Sequence, residues 1–170
     1  TNAPTGSGAG PAAAHFRALL DDMASDAKRG LPRLPPLEAK KLESLRFACL
    51  KNLGHLELEM AKKVEGQQPQ RQSQREHIDA ALVHLAEAAD LDGSDVSLWY
   101  RLACTAKATG RLKLARYALE RGLATQPSHL PSLLALVPVL GSLGDEPARF
   151  RALKRLSRRD PRFLPVAAVS

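Results

Sequence analysis

Across residues 96–129, apolar and small side chains recur at helical spacing. Trp99, Leu102, Ala103 and Ala106 sit at i, i+3, i+4 and i+7, which puts them on one face of a helix. Gly110 marks a turn. Ala115, Leu119 and Gly122 then share a face of a second helix, and Pro127 closes the unit, because proline can stop a helix but not extend it. Trp99 and Leu102 have the bulk to fill an inter-helix groove, while Ala103, Ala115 and Gly122 let two helix backbones approach closely.

The same frame recurs along the chain. Ala81, Leu85 and Ala88 stand 34 residues before Ala115, Leu119 and Gly122, and Gly144 and Pro161 stand 34 residues after Gly110 and Pro127. Leu50, Leu53 and Gly54 repeat the first-helix spacing of Trp99, Leu102 and Ala103. A period of this length with Trp, Leu, small residues and Pro at these places is the tetratricopeptide (TPR) template. The expected fold is therefore all-α, a TPR helical-hairpin solenoid in a right-handed superhelical stack.

This frame divides the chain into a lead-in, an array and an end. Residues 1–11 are rich in Gly, Pro, Ala, Ser and Thr with no apolar period, and read as disordered. The array spans 12–163. Its first helix, 12–27, has Phe16, Leu19, Leu20 and Met23 at i, i+3, i+4 and i+7. A prolyl turn at 30–36 leads to a repeat at 37–91, with Leu42, Leu45, Leu53, Leu56 and Met60 along its first helix. Between the Gly54 and Ala81 positions this repeat is longer by about 15 residues than the regular unit. The excess is a polar insert at 62–75 with a run of Gln, expected as a loop, whose closure cost grows only slowly with length. The repeat at 96–129 follows. A degenerate repeat at 130–163 has Pro138 in its first helix, where a kink is expected, and Arg149 where a small residue should stand. Residues 164–170 read as a truncated end, so the chain is expected to be part of a longer protein.

Composition narrows the function classes. Of 170 residues, 44% are apolar and only 4% aromatic, which suits helices packed through aliphatic side chains. No apolar run reaches the roughly 18 residues of a membrane span, and no signal peptide is visible; no membrane partner is expected. Cys49 and Cys104 lie among apolar neighbours and are expected as buried thiols in a reducing compartment. The net charge of +7 invites an acidic or nucleic-acid partner. The densest charge is Arg149, Arg151, Lys154, Arg155, Arg158, Arg159 and Arg162, interleaved with Phe150, Leu153 and Leu156. It reads either as the cationic flank of an amphipathic helix or as a basic partner surface.

Catalytic and ligand-binding motifs fail in turn. Asp90, Asp92 and Asp95 resemble the opening of a calcium loop, but the sixth and twelfth places hold Asp95 and Arg101 instead of Gly and an acid; a helix N-terminus capped by Ser94 or Asp95 accounts for them. The five histidines form no HExxH or CxxC-supported set, and no phosphate loop or triad is present. The expectation is no enzyme, no cofactor and no metal. The carboxylate clamp of chaperone-binding TPR proteins is not reproduced, since Lys51 is followed by His55 and the next first helix offers Ser97 and Arg101.

The words around the frame are narrower than TPR in general. Leu45–Gly54 (LRFACLKNLG) and Asp90–Gly122, with LWYRL and LAR-x-A-x-E-x-GL, resemble the N-terminal TPR region of the calcineurin-binding protein Cabin family, the scaffold subunit of the HIR histone-chaperone complex. The resemblance runs from Leu37 to about Arg162. It implies a non-catalytic nuclear scaffold for replication-independent chromatin assembly, with other histone-chaperone subunits and histones as protein partners. It transfers no individual binding residue. A general TPR peptide-binding adaptor, or a helical-repeat nucleic-acid binder through 149–162, are the alternatives.

Overall fold

A computed structural model describes residues 11–28, 35–63 and 71–159. All seven elements among them are helices: α1 (Pro11–Lys28), α2 (Pro36–Lys63), α3 (Arg71–Leu91), α4 (Val96–Ala108), α5 (Leu112–Thr125), α6 (Leu130–Ser142) and α7 (Glu146–Ser157). They form two compact units that divide between Asp92 and Gly93. In the first, α2 and α3 make a hairpin and α1 packs on α2; in the second, α4/α5 and α6/α7 are hairpins and α6 also packs on α5.

The second unit shows why the spacing produces hairpins. The side chain of Asp95 accepts the Leu98 N–H at 3.0 Å to open α4, and Asp145 does the same for Ala148 to open α7. Each first helix ends on a glycine with positive φ, 75° at Gly110 and 71° at Gly144. After α4, the N–H of Gly110 bonds the Lys107 carbonyl and that of Arg111 bonds Ala106; after α6, Gly144 bonds Gly141 and Asp145 bonds Leu140. Both are Schellman closures. A side chain at either glycine would be strained, so the 34-residue echo of the two is a backbone requirement.

Cores lie between paired helices. Trp99, Leu102, Ala103 and Ala106 of α4 are buried against Ala115, Ala118, Leu119 and Leu123 of α5. A Cβ on Gly122 would stand 3.2 Å from Trp99 Cβ, so the absence of a side chain there sets how closely α4 and α5 approach. In the first unit Leu50, Leu53 and Gly54 meet Ala81, Leu85 and Ala88, all buried.

Several expectations change. α2 continues through Lys63 and α3 starts at Arg71, so 62–63 and 71–75 of the presumed polar loop are helical. Pairs one turn apart hold these ends, Lys62 to Glu59 at 2.7 Å and Gln72 to Glu76 at 3.0 Å. Residues 64–70 lie outside the described residues, as do 1–10 of the lead-in, 29–34 of the prolyl turn, and 160–170 with Pro161 and Arg162. On α2, Leu42 and Leu45 are exposed, and the buried face is Cys49, Leu50, Leu53, Gly54, Glu57 and Ala61. α6 runs as one helix through Pro138. Pro138 and Leu134 are both exposed, so the Leu134 carbonyl that lacks a helical donor can be satisfied by water. Cys49 is buried, and burial pushes its thiol pKa up, whereas Cys104 is exposed because it falls on the α4 face opposite the one packed on α5.

Candidate protein-interaction surfaces

Two grooves in the second unit follow from helix alternation. The first lies between α4 and α6, where Tyr100, Cys104 and Lys107 face Leu130, Leu134 and Ala135 across a cavity of about 650 Å³. Leu130 and Leu134 are 40% and 39% exposed, an apolar wall that no described side chain covers. His129 positions it: its Nδ1 accepts the Ser132 N–H at 3.3 Å, capping α6, while its ring meets Tyr100 edge-on at 5.6 Å. A hydrogen bond with the Cys104 thiol, reinforced by charge and burial, raises the Tyr100 pKa.

The second groove lies between α5 and α7, a cavity of about 300 Å³ floored by Leu123, Leu136, Leu140, Ala148 and Ala152. Its rim is cationic, with Arg116, Arg151 and Arg155 beside one acid, Glu120. Arg116 is clamped, 2.9 Å from both Glu120 and Asp145. The Ala148 N–H and then Arg116 and Arg151 hold the Asp145 carboxyl below its ordinary pKa, against the opposing effect of burial. Arg155 donates to the Pro127 carbonyl at 3.0 Å.

The basic cluster read from the sequence is thereby split. Arg151 and Arg155 face this groove, and Arg158 continues their flank at helical spacing. Arg149 turns the other way and packs on α6, where a Cβ on Gly141 would stand 3.5 Å from its Nε. It pairs with Glu146 at 3.1 Å. The large residue at a small-residue position is accommodated because its opposite number is a glycine. Lys154 and Arg159 are exposed. The TPR positions are buried throughout except the turn residues Gly110 and Pro127.

A third feature escaped the sequence pattern. Glu57 is fully buried and pairs with Arg17 of α1 and with His77 Nδ1 of α3 at 2.6 Å. A buried carboxylate requires such partners, and these two tie α1 and α3 to α2. The partners lie 40 and 20 residues away, so no local spacing announces them. Nearby, His84 has an unpartnered buried Nδ1, and burial lowers its pKa despite Glu57 and Glu87. Among the described residues no three His, Cys, Asp or Glu side chains converge to hold a metal, and no helix is long and apolar enough to cross a membrane.

Helical hairpins in TPR frame, carrying open grooves, define the class of helical-repeat domains. The model of the CABIN1 N-terminal domain matches residues 17–169. The chain belongs to that family. Among solved structures, it is similar to the Assembly Chaperone of RpL4 (Acl4) (Residues 1-338), with 17% identity and a TM-score of 0.42. That similarity covers 88% of this chain and 52% of the other, so this chain spans about half the length of that structure.

Proposed function

We propose that the chain is a non-catalytic scaffold module that joins protein partners in a nuclear histone-chaperone complex for replication-independent chromatin assembly. Membership of the CABIN1 N-terminal domain family over residues 17–169 carries this reading. The structure supports it physically: the helices bury their periodic apolar faces against each other and leave grooves, of which the α4/α6 groove exposes Leu130 and Leu134. Apolar surface left open on a folded helical array favours protein contacts.

Affinity capture of the full-length protein from nuclei tests the reading. Recovery of the other histone-chaperone subunits is expected. Recovery of heat-shock chaperones without those subunits would establish a general peptide adaptor instead.

A further inference from the structure

We propose that the α5/α7 groove docks an acidic amphipathic helix of a protein partner, with carboxylates one turn apart beside a short aliphatic side chain. This deepens the scaffold reading by naming the chemistry of one partner. Ala148, Ala152 and Leu156 form the buried stripe of α7 at i, i+4 and i+8. Arg151 and Arg155 flank that stripe on the groove side, and their spacing of one turn, about 6 Å along the axis, matches carboxylates at i and i+4 of an incoming helix.

The rim is poised rather than self-satisfied. Among the described residues Arg151 has no direct ion-pair partner and acts on Asp145 only through space. Arg155 uses one donor on Pro127, and a guanidinium has further N–H groups to offer. Arg116 is held by two carboxylates, which fixes the opposite wall without closing the groove. Net positive charge survives at the rim, with three arginines against Glu120 and the Asp145 carboxylate that holds Arg116.

The floor distinguishes a protein helix from a nucleic acid. It is aliphatic, and among the described residues no aromatic side chain lines the groove, so these residues offer no platform on which bases could stack. Leu123, Leu136 and Ala148 keep small residual exposures of 5%, 5% and 8%, enough to contact one aliphatic side chain. A basic segment, such as a histone tail, would be repelled by the same arginines.

The test is fluorescence anisotropy on the 170-residue chain with a labelled helical peptide carrying Glu at i and i+4 and Leu between them. The double reversal Arg151→Glu/Arg155→Glu is expected to weaken binding at least about tenfold, the scale of losing charge-assisted bonds. Arg151→Glu alone, which breaks no side-chain hydrogen bond among the described residues, should weaken it about three- to tenfold on the same scale. Lys41→Glu/Lys63→Glu, with the same change in net charge on exposed sites of α2 that do not line the groove, should leave it within about twofold, as expected of exposed surface charges. Replacing the peptide Leu by Ser should also weaken binding.

Equal losses in both double variants would reduce the effect to diffuse charge and overturn the proposal. So would no binding, or a mixed-sequence duplex that binds more tightly than the peptide and is lost with Arg151→Glu. These outcomes do not depend on which subunits are captured from nuclei, so the scaffold reading and the groove can fail separately.

Discussion

Truncating Trp99 probes the packing that holds the second unit together. The side chain is 2% exposed, meets the Tyr117 ring edge-on at 6.0 Å, and lies under the Arg121 guanidinium at 5.6 Å. Its Nε1 donates to the Gly93 carbonyl at 2.9 Å. Trp99→Ala removes the indole and leaves a cavity between α4 and α5, a change of about 3–5 kcal/mol. Trp99→Phe separates volume from hydrogen bonding. The Gly93 carbonyl also accepts from Thr125 Oγ1 at 3.1 Å, so it keeps a partner when the indole N–H is lost, and the cost should be only about 1–2 kcal/mol, a partial truncation. Urea unfolding followed by far-UV circular dichroism measures both, since Trp99 is the only tryptophan and fluorescence is lost with it. At a slope of about 2 kcal/mol/M, Trp99→Ala should lower the midpoint by about 1.5–2.5 M. A loss under about 1 kcal/mol, typical of surface sites, would refute the packing argument. A Phe variant as unstable as Ala would show that the hydrogen bond, not the ring, dominates.

Gly54→Ala sets helix propensity against crowding. A Cβ there would stand 2.7 Å from Leu85 Cγ and Cδ2, so the gain of about 1 kcal/mol from replacing a mid-helix glycine is offset by about 1–3 kcal/mol of overpacking. A net loss of about 1 kcal/mol is expected on denaturation; stabilisation by the full propensity gain would rule out the close approach. For His84, burial lowers the folded pKa below 6.5, so the unfolded chain binds more protons as acid is added. Its contribution is intact above the ordinary imidazole pKa, declines as pH falls through 6.5, and levels off below the depressed folded value. Thermal melts should therefore show a weaker acid-side loss of Tm for His84→Gln than for the parent chain. An identical loss in both would assign the pH dependence to other groups.

Sequence periodicity by itself determined the helical class and the 34-residue frame, because burial at i, i+3, i+4 and i+7 and glycine at a left-handed closure are local requirements. Trp99 on α4, Ala115 on α5, and the Gly110 and Gly144 turns follow from neighbours within a few residues. The cluster at 149–162 was legible in the sequence as charge and as a candidate partner surface, but not in which of its arginines face which neighbour. Only tertiary structure decided that Arg149 packs on Gly141 while Arg151 and Arg155 line a groove against α5, since a period says which residues share a face and not what that face meets. The same reason hid the α2 core. Leu42 and Leu45 looked like core residues and are exposed, whereas Glu57 is buried because Arg17 and His77 arrive from distant helices to pair with its carboxylate.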